Sequence, residues 1–290
     1  MTSEAGNALT PEQIRTAVVA LQKIRPSYSP MIEFYGRIFS AQAESLGRIC
    51  PAPLVIEPDL LALKKANDMP LIAPAEFPVD LGAARDLMQL LADLAAAHAP
   101  RLARAGQVIQ EALNQETLAL PTLFERLLDN RSIRDLSEEL DITPDELGFF
   151  GYNAMFPSVQ TCAAQLAAYL DQDHNKGYCP ICGTYPDLAH LDRDGRKWLT
   201  CSLCSHSWPV KRMGCLFCNT QDKADPLYFF SPDEKEYRVY YCDLCKGYLK
   251  TVDTREMGRS FVPRLEQVAS LHLDIKAKAE GYIRVFETGH

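Results

Sequence analysis

Four pairs of cysteines, each spaced Cys-x-x-Cys, constrain this chain more than any other feature of its sequence. Eight of the ten cysteines among its 290 residues obey the spacing. The tight turn within such a pair points both sulfurs at one centre and leaves backbone N–H groups free to hydrogen-bond them. Two pairs complete a tetrahedral metal site, so the sequence predicts two sites. The predicted ligands are Cys179, Cys182, Cys201, Cys204, Cys215, Cys218, Cys242 and Cys245.

The intervals between the pairs favour coupling in sequence order. In the first interval, from Cys182 to Cys201, the dipeptide Asp194-Gly195 suits a tight hairpin turn between two short strands. In the second interval, Ser-Pro-Asp-Glu at 231–234 has the composition of a similar turn. A hairpin brings its two ends together, so each delivers its flanking cysteine pairs to one metal. An interleaved cross-brace with the same eight ligands remains the alternative.

Disulfides and thiol-redox chemistry are the competing roles for these cysteines. The N-terminal residues Met1-Thr2-Ser3-Glu4-Ala5 contain no basic region and no apolar run of signal-peptide length, so the chain is expected to be cytoplasmic. Thiols stay reduced there. A redox Cys-x-x-Cys occurs singly, at the start of a helix in a βαβ pattern, whereas this chain has four in a row. Metal binding is therefore the preferred interpretation.

The other two cysteines and three histidines near the cysteine pairs are not expected to bind metal. Cys50 lies outside the spacing, and Cys162 falls in a helical pattern that predicts a buried, inert thiol. His174, His190 and His206 lie close to the cysteine pairs, but eight well-spaced sulfurs leave them surplus as ligands. We expect these histidines at the surface or in contact with a ligand, not on the metal.

The charge distribution argues against a nucleic-acid binder. The net charge is −8, and residues 1–174 alone contain 13 basic and 23 acidic side chains. Within the cysteine-rich half, adjacent basic residues are limited to Arg196-Lys197 and Lys211-Arg212. Metal-bound thiolates would make this half more negative still. The sequence therefore lacks the basic stripe of a nucleic-acid interface. No apolar run approaches the length of a membrane span, so no membrane insertion is expected.

Helical patterns separated by prolines fill the first part of the chain. Thr10-Pro11 and Thr143-Pro144 each combine a hydroxyl cap with proline at the first helical position. Prolines break up residues 48–79, where at most one short helix, near Leu60, is expected. The other predicted helical segments are 30–46, 80–97, 101–113, 121–128 and 158–170. The prediction is an all-α N-terminal bundle.

The predicted architecture is thus α with a small β component. A helical domain over 1–173 precedes two tandem rubredoxin-like or zinc-ribbon-like modules at 174–212 and 213–262, and a C-terminal helical segment spans 263–290. In that last segment an apolar stripe is predicted at Leu265, Val268, Leu271, Leu273, Ile275 and Ile283. The modules are too small to fold alone, so their metals are expected to stabilise them.

Aromatic residues beside the cysteine pairs are expected to form the small core around each site, although a stacking surface for bases is the alternative. They are Tyr185, Trp198, Trp208, Tyr237, Tyr240 and Tyr241.

No catalytic constellation accompanies the cysteines. The chain has no glycine-rich phosphate loop, no Gly-x-Ser-x-Gly and no His-Glu-x-x-His. A metal ligated by four sulfurs also offers no open position to water or substrate. The sequence therefore predicts that the protein is not an enzyme.

The cysteine motifs and their flanks resemble one known family. They are Cys179-Pro-Ile-Cys182-Gly183, Cys201-Ser-Leu-Cys204, Cys215-x-x-Cys218 and the run Tyr241-Cys242-Asp243-x-Cys245-x-x-Tyr248-Leu249-Lys250-Thr251. With the closing Ser270-Leu271-x-Leu273-Asp274 and Glu280-Gly281-Tyr282, they are similar to the formate dehydrogenase accessory protein family, FdhE. The resemblance covers the chain from about Tyr178 onward. Earlier residues share only its helical character.

This resemblance implies a cytoplasmic maturation factor with two rubredoxin-like modules, needed for active formate dehydrogenase and binding its catalytic subunit. It also implies iron, whereas four thiolates by themselves accept iron or zinc. From the residues alone, a zinc-ribbon nucleic-acid-binding protein and a rubredoxin-type electron carrier remain alternatives.

Overall fold

The chain divides into two compact units, and each unit combines two separate stretches of the sequence. A computed structural model describes residues 9–171, 174–211, 214–218, 220 and 227–285. The first unit comprises Met1–Val55 and Ala73–Gln165, and the second comprises Ile56–Ile72 and Leu166–His290. Residues 56–72 therefore group with the cysteine-rich half, although they precede most of the helical sequence. The predicted boundaries at residues 173 and 212, and Arg212 itself, lie outside the described residues.

Helices and strands follow the predicted order, with a helical region before a small sheet and further helices after it. The described helices are α1 (Pro11–Ile24), α2 (Ser29–Ser45), α3 (Pro58–Ala66), α4 (Leu81–His98), α5 (Ala103–Asn114), α6 (Leu120–Leu128), α7 (Arg134–Glu139), α8 (Pro144–Leu166), α9 (Pro263–Ala269) and α10 (Leu271–Ala279). The described strands are β1 (Pro186–Leu191), β2 (Lys197–Cys201), β3 (Ser207–Val210), β4 (Leu227–Phe229), β5 (Tyr237–Tyr241), β6 (Gly247–Asp253) and β7 (Ile283–Arg284). The predicted fold class is confirmed.

Capping residues fix where the first unit's helices begin. The Gln13 amide donates to Thr10 Oγ1 (3.2 Å), and the Gln13 side chain accepts from the Thr10 amide (2.8 Å). This reciprocal pair satisfies two N–H groups that have no intrahelical acceptor. The Thr143 hydroxyl accepts the Glu146 amide in the same way at α8. Both predicted helix starts are confirmed, and Ile14, Val18 and Leu21 of α1 are buried.

Helix α8 corrects one prediction, because it continues through Pro157 where the sequence indicated separate segments before and after residue 157. Proline has no amide to donate to the carbonyl four residues earlier, which is that of Asn153. The buried Gln42 side chain supplies a donor instead, since its Nε2 lies 2.8 Å from the Asn153 oxygen. A side chain from α2 thus replaces the missing hydrogen bond. Helix α7 is also present, although no pattern predicted it.

The second unit is built on one sheet that joins both cysteine-rich modules. Its strand order is β3-β2-β1-β6-β5-β4, with β7 also paired to β6. Each module contributes three antiparallel strands, and β1 pairs with β6 in parallel where the modules meet. Both predicted hairpins are confirmed, and Gly195 has the positive φ (76°) that its turn requires. Strand β6, buried along its whole length, was not predicted.

The C-terminal segment differs from the single amphipathic helix that the sequence suggested. It forms the two short helices α9 and α10, followed by β7. Leu265, Val268 and Leu273 are buried as predicted, but Ile275 is 70% exposed and Ile283 lies in β7. The apolar stripe therefore ends at Leu273. Buried polar residues of α9 and α10 contact the sheet instead. For example, the hydroxyl of Tyr248 in β6 donates to Asp274 in α10 (2.9 Å).

Among the described residues, no helix is both long enough and apolar enough to cross a bilayer.

Candidate metal centres

Two clusters of four cysteines lie in the second unit, one in each module. In each cluster the four sulfurs lie within 4.8 Å of one another. The first cluster contains Cys179, Cys182, Cys201 and Cys204, and the second contains Cys215, Cys218, Cys242 and Cys245. The structure thus couples the pairs in sequence order, and the interleaved alternative does not fit it. All ten cysteines lie among the described residues, and each is free of disulfide bonds.

Distances between the sulfurs match a tetrahedral site. A metal ion about 2.3 Å from four sulfurs at tetrahedral corners would hold them about 3.8 Å apart. In the first cluster, the Sγ atom of Cys182 lies 3.5 Å from that of Cys201 and 3.8 Å from that of Cys204. The Sγ atoms of Cys179 and Cys204 lie 3.7 Å apart. In the second cluster, the Sγ atoms of Cys215 and Cys245 lie 3.8 Å apart, as do those of Cys218 and Cys242. Both clusters therefore fit a zinc or iron ion, and a disulfide at about 2.05 Å does not fit either.

All four cysteine pairs share one backbone turn. The amide of the first cysteine donates to the carbonyl five residues later, in the bonds Cys179 to Thr184 (2.9 Å), Cys201 to His206 (2.9 Å), Cys215 to Thr220 (3.4 Å) and Cys242 to Gly247 (3.0 Å). The residue after the second cysteine has a positive φ in Gly183 (76°), Ser205 (57°) and Lys246 (57°). This conformation curls the chain around the sulfurs. Glycine adopts it without strain, and serine and lysine do so at some cost.

Threonine hydroxyls contact one sulfur in each cluster. Thr184 Oγ1 lies 3.4 Å from Cys182 Sγ, and Thr220 Oγ1 lies 2.8 Å from Cys218 Sγ. Both threonines stand two residues after the second cysteine of the first pair in their module. Sequence reasoning missed them, although the repeated spacing was a usable signal. Towards a metal-bound thiolate each hydroxyl would act as donor and disperse negative charge.

Ionisation of the first cluster is uneven without a cation. Hydrogen bonds from Cys179, Cys201 and Cys204 hold the pKa of Cys182 far below its usual value. Burial raises the pKa of Cys201, and hydrogen bonding with Cys179 raises that of Cys204. One thiolate is thus stabilised while further charges are suppressed. A bound cation would offset that repulsion and allow four thiolates to coexist.

The second cluster shows a milder version of the same pattern. Burial raises the pKa of Cys215 and of Cys245. Burial also opposes ionisation of Cys218, but hydrogen bonds from Thr220, Cys215 and Cys242 together outweigh it and lower the pKa of Cys218 to about 7. The Cys218 thiol therefore ionises near neutral pH.

Residues 68–72 lie against the turn of the first cluster, and we call them the 68–72 segment. The amides of Leu71 and Ile72 donate to the carbonyls of Pro180 (3.1 Å) and Ile181 (2.9 Å), which separate Cys179 from Cys182. The Tyr178 hydroxyl donates to the Asp68 carbonyl (2.7 Å). Leu71 and Ile72 are buried. These bonds explain why residues 56–72 belong to the second unit, and no sequence pattern pointed to them.

The remaining predicted residues lie outside both clusters. The His174 ring donates through Nε2 to the Tyr178 carbonyl (2.8 Å), and the His206 carbonyl accepts the Cys201 amide. Burial lowers the pKa of His190 and of His206 to about 4, so both rings are neutral at pH 7. Cys50 is exposed and Cys162 is buried.

The aromatic residues near the clusters are largely enclosed. Trp208 and Tyr237 are buried in the core. The half-buried ones are Tyr185, Trp198, Tyr240 and Tyr241.

Comparison with known proteins supports the resemblance seen in the cysteine motifs. No family model matches the chain. The protein FdhE homolog of Aquifex aeolicus is 32% identical over 151 residues, covering 51% of this chain and 53% of that protein. The homolog of Haemophilus influenzae is 25% identical over 162 residues, covering 54% and 53%. The chain therefore spans about half the length of the curated relatives it matches.

One solved structure extends the similarity to nearly the whole chain. It is the crystal structure of the FdhE protein from Pseudomonas aeruginosa, which superposes with a TM-score of 0.64 and 21% sequence identity. The match covers 96% of this chain and 95% of that one. At this identity the likeness concerns the fold.

Proposed function

We propose that this protein is an accessory factor in the maturation of formate dehydrogenase, that it holds two metal ions in its four-cysteine clusters, and that it binds the enzyme's catalytic subunit. The observation that carries the proposal is the pair of tetrahedral sulfur clusters in a fold like that of FdhE. The named relatives support the same accessory role. We place the protein in the cytoplasm.

In this proposal the metal ions stabilise the fold of the modules and do not catalyse a reaction. Four sulfur ligands leave no position for water, so a hydrolytic role is disfavoured. The eight cysteines would hold the ions, and the four backbone turns would orient the sulfurs. We propose iron as the native metal, because the family resemblance implies it, while the sulfur donors also accept zinc. Elemental analysis and a visible spectrum of protein purified without oxygen distinguish the two.

Capture of the partner tests the proposed role. The tagged full-length chain, loaded with metal, is immobilised and offered the purified catalytic subunit of formate dehydrogenase. We expect retention of the subunit, and loss of retention in Cys182→Ser and Cys242→Ser, because each removes a ligand and unfolds its module. Cys50→Ser is the matched control, since this exposed thiol lies outside both clusters.

Two results would contradict the proposal. A loaded wild-type chain that fails to retain the catalytic subunit contradicts the partner. Ligand variants that remain folded and still capture the subunit contradict the idea that the metal-stabilised modules carry the binding surface. A salt-dependent gel shift with DNA or RNA would favour a nucleic-acid-binding protein instead.

A further inference from the structure

The two clusters differ in how far solvent reaches their sulfurs. In the first cluster the four cysteines are only 0–2% exposed. In the second cluster all four are half-buried. The residues that precede the second cysteine of each pair follow the same order: Ile181 is buried and Leu203 half-buried in the first cluster, whereas Phe217 is half-buried and Leu244 is 73% exposed in the second. The two sites share one turn geometry, so the difference comes from what covers each turn.

The 68–72 segment covers the first cluster. Its amides at Leu71 and Ile72 bond the carbonyls of Pro180 and Ile181. A Cβ built on Gly183, in the same turn, would lie 3.0 Å from the Pro70 ring, which shows how closely the segment approaches. An exposed salt bridge between Lys176 and Asp68 (3.0 Å) adds a further contact to the segment. Access to these sulfurs requires local opening of this cover.

The second cluster has a smaller cover among the described residues. Strand β7 pairs with the start of β6, where the Ile283 amide donates to the Lys246 carbonyl (2.9 Å). The Tyr282 hydroxyl donates to the exposed Asp243 (2.9 Å). Gly177 and Tyr185 contact the 215–218 turn of the same cluster, and these contacts together leave Leu244 in solvent. Among the described residues, the sulfurs of the second cluster therefore lie closer to solvent than those of the first.

We propose that the second four-cysteine cluster is the exchangeable metal site of this protein, able to give its ion to a thiol-bearing or chelating acceptor, and that the first is a locked structural site. The inference rests on the proposed metal binding. In the exchange, the acceptor's donor atoms take the ion, and the four released thiolates become available to protons or to an alkylating reagent. No change of oxidation state is involved.

Metal release from the full-length chain tests this division. The protein is loaded with Zn²⁺ without oxygen, its metal content is measured, and a chromogenic pyridylazo-resorcinol chelator is added together with iodoacetamide. Samples are quenched at intervals, and alkylated cysteines are located by peptide mass mapping. Exposed Cys50 marks immediate labelling, and buried Cys162 marks a thiol protected by folding.

We expect two ions per chain and two phases of release. One ion should leave at least about tenfold faster than the other, because the sulfurs of the second site are already partly exposed whereas those of the first are buried under the 68–72 segment. Labels at Cys215, Cys218, Cys242 and Cys245 should appear with the fast phase, and labels at Cys179, Cys182, Cys201 and Cys204 with the slow phase. A chain that binds no metal overturns the proposed metal function. Two ions lost at one rate, or faster labelling of the first cluster, overturn only the present inference.

A conservative variant tests the cover itself. Tyr178→Phe removes the hydroxyl that bonds the Asp68 carbonyl and keeps the ring. We expect it to accelerate the slow phase severalfold and leave the fast phase unchanged. Tyr240→Phe, at another half-buried tyrosine of the second unit, is the matched control and should alter neither phase. An unchanged slow phase in Tyr178→Phe contradicts the locking role of the 68–72 segment.

Discussion

The Nζ atom of Lys250 lies 2.8 Å from Oδ2 of Asp274, and both side chains are at least 92% buried. Arg284 and Tyr248 bond the same carboxylate, through Arg284 Nε (3.1 Å) and the Tyr248 hydroxyl (2.9 Å). Burial lowers the pKa of Lys250 to about 8. Burial alone would raise the pKa of Asp274, but the charges of Lys250 and Arg284 outweigh it and lower that pKa. This carboxylate therefore joins β6, α10 and β7.

Asp274→Asn should destabilise the second unit by about 3–5 kcal/mol, because it leaves the buried Lys250 and the half-buried Arg284 without their carboxylate. Both tryptophans of the chain, Trp198 and Trp208, lie in this unit, so their fluorescence during urea unfolding of the metal-loaded protein measures the change. Asp243→Asn is the control. Asp243 is an exposed carboxylate paired with Lys246, and solvent screening makes the loss of that pair much less costly than the loss of Asp274. Equal effects of the two variants would contradict the assignment.

Gln42 and Pro157 should be energetically coupled. Gln42→Leu removes a buried donor from the Asn153 carbonyl and should cost about 1–3 kcal/mol. Pro157→Ala restores an amide that can bond the same carbonyl, so the double variant should recover part of the loss. Thermal unfolding of the four proteins of the cycle, followed by far-ultraviolet circular dichroism, gives the coupling. Strictly additive effects would show that the side chain does not replace the missing amide.

Removing the metal should unfold the second unit and leave the helices of the first. Structural zinc contributes roughly 10–16 kcal/mol to folding in small modules, and the two modules here are of that kind. A strong chelator should therefore shift the fluorescence of Trp198 and Trp208 to the red while most of the helical circular dichroism remains. The Cys50→Ser protein is expected to respond identically. Native fluorescence in metal-free protein would mean that the sheet folds without its ions.

Cys162 should make the first unit less stable in alkali. Burial raises the pKa of its thiol to about 11, above the value near 8.5 of an unfolded cysteine. Between these pH values the folded state keeps a proton that the unfolded state releases. Stability is therefore full below about pH 8.5 and falls, by at most about 1.4 kcal/mol per pH unit, as the pH rises towards 11.

Comparison with Cys162→Ala isolates this contribution, since both proteins share every other titrating group. The variant should lose less stability between about pH 8.5 and 11 in unfolding followed by circular dichroism. Cys50→Ala, at an exposed position, should keep the wild-type slope. Parallel slopes for Cys162→Ala and wild type would contradict burial of a protonated thiol.

Local signals made much of this fold predictable. The cysteine spacing predicted both clusters, Asp194-Gly195 predicted the first hairpin, and Thr10-Pro11 predicted the start of α1. These features act over a few residues, so the sequence displays them directly. The FdhE resemblance also came from local motifs.

The missed features depend on partners far along the chain. Strand β6 contains Lys250, Thr251 and Asp253, a polar run that is buried because Asp274 and Arg238 pair with its charges. Continuity of α8 through Pro157 depends on Gln42. Placement of residues 56–72 depends on the turn at Cys179. None of these partners is visible in a local pattern.

The long separation of Asp68 from Tyr178, 110 positions apart, sets an order of events at the ribosome. Residues 56–72 leave the exit tunnel long before the turn that will hold them has been translated. The first sulfur cluster is therefore covered only when the early 68–72 segment binds to a turn that is translated much later. A nascent protein that captured its ion before then would hold a site still open to competing thiols.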